Sequence, residues 1–97
     1  MTGVLHMPDR YVFRRMTPDE FGDALRAAKM SRNDFMFVTG RHAHGVQKYF
    51  DPNDRSSPTL AEMVILALAA EDPDIRSRMM EIARDFMVDM GPLKDRR

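Results

Sequence analysis

The chain has 97 residues, a length that predicts one domain with one small core. It contains no cysteine, which excludes disulfides and thiolate metal ligands and leads us to expect a cytoplasmic protein. Its 15 basic and 15 acidic residues cancel, a balance that is unusual for a nucleic-acid-binding domain. The longest apolar run, residues 60–70, is about half the length that spans a bilayer, so no membrane association is expected.

Residues 1–16 carry no helix signal, and we expect them to form a partly flexible N-terminal arm. Within the arm, residues 10–14 (RYVFR) alternate weakly between polar and apolar and include β-prone side chains. The sequence therefore predicts a short extended segment at this point.

Capping signals mark the first two helices. Thr17 is a typical N-cap residue, and Glu20, three residues later, completes a capping box. The same pattern starts again at Ser31 and predicts a short helix over residues 32–39. Gly40 ends this helix, because glycine adopts the left-handed conformation at low cost.

Three further helices are predicted after the turn. The third covers residues 42–50, and the fourth begins at Ser57-Pro58, where proline suits the first helical turn. The fourth helix is apolar on nearly all sides and is expected to be the buried one. The fifth helix, residues 72–90, starts at an Asp-Pro pair, and residues 91–97 form a flexible tail.

The sequence thus predicts an all-α fold, a compact five-helix bundle formed by residues 17–90. The fifth helix has a wide apolar stripe, which leads us to expect a homodimer held mainly by this helix. The alternative is a monomer in which the whole stripe packs on the first and fourth helices of its own chain. The residues of the predicted dimer interface are Ile75, Met79, Ile82, Phe86 and Met90.

The third predicted helix contains two histidines, His42 and His44. Successive helical residues turn by about 100°, so these two side chains lie about 200° apart and cannot converge on one metal ion. No nucleophile with an adjacent base can be read from the spacing of residues. We therefore expect no metal site, no enzymatic activity, no cofactor and no small-molecule substrate.

If Val46 faces the core, the opposite face of this helix is polar. It carries His44, Gln47, Lys48 and Asp51. Gln47 can bond adenine in a bidentate fashion and Lys48 supplies charge, as a helix in the major groove requires. Arg41 and His42 lie at the helix start, where backbone N–H groups favour a phosphate. A solvated helix face is the alternative interpretation.

The local charge supports an anionic partner. Residues 26–50 contain five basic residues and one acidic residue, whereas residues 56–97 contain six basic and eight acidic residues. The neutral total therefore conceals a basic central segment, and the local field matters more for docking than the total charge.

Over residues 17–70 the chain resembles the phage-repressor-like (XRE) helix-turn-helix family. In that family a serine-capped second helix runs into a turn glycine, a valine six residues later packs the third helix on the second, and an aromatic residue follows. The matching residues here are Ser31, Gly40, Val46 and Tyr49, with Phe35 at the apolar position that the third helix covers.

Several residues depart from the family pattern. Met36 stands where the family prefers alanine, Thr39 and Arg41 stand where apolar residues are usual, and Gly45 weakens the third helix. Asp51 adds an acid near the proposed DNA-binding face. These departures leave open either a wider angle between the second and third helices or a third helix that has become a protein-binding surface.

The resemblance implies a sequence-specific regulator of transcription, such as a repressor, that binds double-stranded DNA as a dimer with residues 42–50 in the major groove. It places base contacts on His44, Gln47 and Lys48 and a phosphate contact on Arg32. The full set of candidate DNA-binding residues is Arg32, Arg41, His42, His44, Gln47 and Lys48. Control of its own gene and an origin in a phage or mobile element would fit this family. The alternative is a small helical protein-binding adaptor or antitoxin-like module that does not bind DNA.

Overall fold

The structure, a computed structural model, describes residues 12–88. In this part of the chain there are five helices and no strand: α1 Pro18–Ala28, α2 Arg32–Thr39, α3 Ala43–Tyr49, α4 Leu60–Glu71 and α5 Pro73–Asp85. α4 packs on α1 and α5, while α2 packs on α3 and α5. The predicted all-α bundle of five helices is confirmed. No helix within residues 12–88 is long and apolar enough to cross a membrane.

The predicted capping box of α1 is present. The Thr17 hydroxyl accepts a hydrogen bond from the Glu20 N–H at 3.2 Å, and the Glu20 carboxylate accepts one from the Thr17 N–H at 2.9 Å. Both bonds satisfy backbone donors that the first helical turn leaves unpaired. The start of α1 therefore follows from the local sequence.

α2 has the bounds that the sequence predicts. Ser31 and Asp34 form its capping box, and Gly40 ends it at φ 75°, in the left-handed region. The Gly40 N–H donates to the carbonyl of Met36 at 2.8 Å. The turn from Gly40 to His42 leads directly into α3, which is one residue shorter at each end than the predicted helix.

The prediction that α4 begins at Ser57-Pro58 is wrong by two residues. The N-cap is Thr59, whose hydroxyl accepts from the Glu62 N–H at 3.1 Å, while Glu62 accepts from the Thr59 N–H at 2.9 Å. Pro58 precedes this cap and is buried. A complete capping box fixes the helix start more strongly than a proline does.

α4 is apolar on nearly all sides, but the prediction that it is the buried helix is wrong. Its buried residues are Glu62, Leu66 and Ala69, whereas Leu60, Val64 and Leu68 are exposed. α4 packs on α1 and α5, and its apolar outer side stays open to solvent. A domain of this size has too few elements to enclose one of its helices on every side.

α5 begins at the predicted Asp72-Pro73 pair but ends at Asp85, earlier than the predicted residue 90. Its stripe is only partly covered by α2 and α4: Ile75 and Met79 are half-buried, while Ile82 is 41% exposed and Phe86, just after the last helical residue, is 82% exposed. The described residues exclude residues 1–11, which form part of the predicted arm, and residues 89–97, which include Met90 and the predicted tail.

The core is centred on Phe21 of α1, which is fully buried. Its ring meets Phe35 of α2 edge-on at 5.2 Å between centroids, and it meets Tyr49 of α3 edge-on at 5.3 Å. Phe50 lies at 4.9 Å in a tilted arrangement. Since offset and edge-to-face arrangements are the favoured geometries of aromatic pairs, this cluster fixes three helices against each other.

Truncation of the core residues that join α2 and α3 should destabilise the fold. Phe35 and Val46 are buried, and replacing either with alanine should cost about 2 to 5 kcal/mol through lost transfer energy and a residual cavity. Urea denaturation followed by circular dichroism measures this loss. Val12→Ala is the matched control, because Val12 is exposed and the same truncation there should leave the midpoint unchanged. Equal midpoints for Val46→Ala and Val12→Ala would contradict this packing.

Candidate nucleic-acid interface

The outer face of α3 consists of His44, Gln47 and Lys48, which are all exposed. On the opposite side Val46 and Tyr49 are buried in the core. α3 therefore has one buried side that packs on the core and one exposed polar side, as the sequence predicts from the helical period. The outer face leaves hydrogen-bonding groups and a positive charge accessible to a partner.

Arg32, the first residue of α2, lies beside this face. Its Nη1 donates to the Gln47 Oε1 at 3.0 Å, and its guanidinium carbon lies 4.0 Å from the centroid of the Phe50 ring. The bond and the cation–π contact hold the guanidinium in place at the surface. The structure thus brings together Arg32 and Gln47, two predicted site residues that are 15 positions apart.

Arg41 points toward α4. Its Nε donates to the Glu62 Oε2 at 2.8 Å, and its guanidinium lies 5.8 Å from the centre of the Tyr49 ring. Arg41 is therefore paired with a buried carboxylate of α4, whereas Arg32 bonds Gln47 at the surface. His42 is the N-cap of α3, is exposed, and makes no capping bond with its side chain.

Glu62 is a buried carboxylate at the junction of α3 and α4. Besides Arg41, it accepts hydrogen bonds on Oε1 from the Tyr49 hydroxyl at 2.9 Å and from the Thr59 N–H at 2.9 Å. These three donors satisfy a group that would be costly to bury alone. Since Arg41 precedes α3 and Tyr49 ends it, Glu62 links both ends of α3 to α4.

The pKa values of this cluster reflect burial and hydrogen bonding. Burial alone would raise the pKa of Glu62, but the bonds from Thr59, Arg41 and Tyr49 outweigh it and hold that pKa below its ordinary value. Burial, followed by the hydrogen bond to Glu62 and its negative charge, raises the pKa of Tyr49 to about 12. Glu62 is therefore ionised and Tyr49 neutral at physiological pH.

An acidic residue lies near one edge of the outer face. The Asp54 carboxylate accepts from the Ser56 N–H at 2.8 Å. Hydrogen bonding from the Ser56 side chain, followed by this backbone bond, lowers the pKa of Asp54, with smaller contributions from the charges of Lys48 and His44. Any anion that docks on α3 would thus meet a negative charge beside Lys48. Within residues 12–88, no three side chains of His, Cys, Asp or Glu lie together as a metal site would require.

Glu62 is absent from the residues predicted for the site, although two features of the sequence distinguish it. The Thr59-Leu-Ala-Glu62 stretch is a capping box, and Glu62 is the lone charge in the apolar run of residues 60–70. A buried charge needs a partner, but nothing in the spacing identifies Arg41, which is 21 residues away. The role of Arg41 therefore emerges only from the fold.

A second surface feature is an apolar groove of about 430 Å³. It lies between the C-terminal end of α2, Ile65 of α4, and the apolar side of α5 with the residues that follow it. Its lining includes Phe37, Val38, Met79, Ile82 and Phe86. The groove is the part of the α5 stripe that the bundle leaves uncovered.

Comparison of the chain with protein-family models, with curated proteins and with solved structures gives no match.

The Glu62 cluster predicts a specific pH dependence of stability. Because the pKa of Glu62 is lower in the folded chain, ionised Glu62 stabilises the fold above its unfolded-state pKa of about 4.3. This contribution is lost as the pH falls through the lower folded-state pKa. We expect the unfolding free energy of the wild type to fall more steeply below about pH 5 than that of Glu62→Gln, measured by urea denaturation at each pH.

Glu71→Gln is the control for this experiment. It removes the same charge from the same helix at an exposed position, and it should keep the wild-type acid slope. Identical slopes for the wild type and Glu62→Gln would contradict the assigned role of Glu62.

Proposed function

We propose that the chain is a sequence-specific regulator of transcription that binds double-stranded DNA, with α2 and α3 as a helix-turn-helix of the phage-repressor-like type. α3 would lie in the major groove as the recognition helix. The main support for this proposal is the outer face of α3, which exposes polar and basic side chains. Val46 and Tyr49 on the opposite side of the helix are buried in the core.

The chemistry of this face suits base edges and phosphates. Gln47 offers directional hydrogen bonds to bases, while Lys48 and Arg32 offer positive charge to the DNA backbone. Basic residues outnumber acidic ones between positions 26 and 50, and although Arg41 is paired with Glu62, the exposed charges of Arg32 and Lys48 suit a polyanion. An acidic protein surface also presents negative charges and hydrogen-bond acceptors, and a DNA-binding experiment distinguishes the two kinds of partner.

We further propose that the regulator is a two-fold dimer held by the exposed apolar residues at the end of α5. Phe86 and Val88, which follow the last residue of α5, are largely exposed, and Phe86 lines the apolar groove beside α2. A second copy would cover this patch, and it would place two α3 helices on successive major grooves roughly 34 Å apart.

Substitutions on α3 test the proposed recognition helix. Duplexes selected from a random pool by the wild-type protein serve as the DNA, and fluorescence anisotropy measures affinity at several salt concentrations. Gln47→Ala should weaken binding to a selected site by about 1 to 3 kcal/mol and reduce the preference for one base at one position. Lys48→Ala should reduce the slope of log K against log salt by about 1, because one phosphate contact is lost.

Arg78→Ala is the control, because it removes an exposed positive charge from α5, where Arg78 faces Glu81. It should leave both affinity and salt slope close to the wild-type values. If no duplex is enriched from the pool, or if the Gln47 and Lys48 variants bind like the wild type, α3 is not a DNA-recognition helix.

The proposed dimer is tested by sedimentation equilibrium at micromolar concentration, where the wild type should have twice the chain mass. Phe86→Asp should give the monomer mass with unchanged helical content, since it places a charge in the apolar patch. Ser77→Asp adds the same charge at an exposed polar position of α5 and should remain dimeric. A monomeric wild type would rule out the dimer.

A further inference from the structure

The contact between Arg32 and Gln47 restricts what Gln47 can recognise. Arg32 Nη1 donates to Gln47 Oε1 at 3.0 Å, so the acceptor end of the amide faces the guanidinium. The guanidinium in turn stacks on Phe50, whose ring contacts the buried Phe21. The pair is therefore arranged before any ligand arrives, although both side chains are exposed.

This arrangement changes the hydrogen-bonding character of the surface. A free glutamine offers one acceptor oxygen and two N–H donors, and it matches adenine, which presents an acceptor at N7 and a donor at N6. In the pair, Oε1 is engaged by a charged donor, and arginine contributes no acceptor. The groups directed outward are then mainly the Nε2 N–H donors of Gln47 and the remaining N–H donors of Arg32.

A cluster of donors favours a base edge made of acceptors. Guanine presents N7 and O6, both acceptors, whereas adenine would direct its N6 donor toward the positively charged guanidinium. We propose that the Arg32–Gln47 pair selects guanine over adenine at the base pair that Gln47 faces. The inference rests on the proposed DNA-binding function, and it replaces the adenine contact that the sequence predicts for an unpaired Gln47.

Arg32 is thus a specificity-determining residue as well as a source of charge. If Arg32 served only as a phosphate contact, its removal would weaken binding to all sequences alike. If it also holds the Gln47 amide, its removal frees Oε1 and lets Gln47 bond adenine in the bidentate manner. The two roles predict different changes in base preference.

The experiment compares duplex pools selected by the full-length wild type and by Arg32→Ala, Gln47→Ala and Lys48→Ala. The position whose preference disappears in Gln47→Ala is the one that Gln47 faces. At that position the wild type should prefer guanine to adenine by roughly 5- to 150-fold in competition binding. Arg32→Ala should shift the preference toward adenine, whereas Lys48→Ala should weaken both duplexes equally and keep guanine.

A measurement without DNA tests the pair itself. In the free protein, the side-chain amide resonances of Gln47 should shift on Arg32→Ala and stay in place on Lys48→Ala. Unshifted resonances would overturn the inference, because the pair would then be absent in solution.

The outcomes separate the inference from the proposed function. Selection of adenine at the Gln47 position by the wild type, or a preference that Arg32→Ala leaves unchanged, overturns the inference while DNA binding stands. Failure of the wild type to enrich any duplex overturns both.

Discussion

The contact of the Phe21 ring with aromatic rings from other parts of the chain is the constraint on which the arrangement of the first three helices depends. Phe35 and Tyr49 pack edge-on against it from α2 and α3, and Phe50 packs beside it just after α3. Phe50 also supports the guanidinium of Arg32, which bonds Gln47. A continuous set of contacts therefore runs from the centre of the core to the outer face of α3, and the geometry of that face is determined by core packing.

Glu62 provides the polar counterpart of this packing. Apolar contacts are non-directional, and they allow a short helix to rotate or slide by small amounts. A carboxylate bonded to Arg41, Tyr49 and the Thr59 N–H allows one arrangement, because any shift leaves a buried charge short of donors. We interpret this cluster as a second constraint on the orientation of α3, which acts together with the aromatic cluster.

The sequence predicted local features well because they depend on residues close together in the chain. The capping boxes at Thr17 and Ser31 place α1 and α2, and the helical period assigns the two sides of α3. Features that depend on distant residues were missed. The exposure of Leu68 on α4 depends on how many layers cover that helix, and the contact between Arg32 and Gln47 depends on the approach of α2 and α3. The sequence predicts the α4 start two residues too early because Ser57-Pro58 also resembles a helix start, whereas the complete capping box lies at Thr59.

Gly45 in the middle of α3 has a consequence for the dynamics of this helix. A Cβ atom at Gly45 would meet no neighbour within 4 Å, so packing does not require glycine there, and its presence lowers the helix propensity of a segment of seven residues. α3 has too little intrinsic stability to persist alone and depends on its neighbours for order. Its backbone amides should therefore exchange with solvent through local opening before those of α1, and a ligand that binds ordered α3 should slow this exchange.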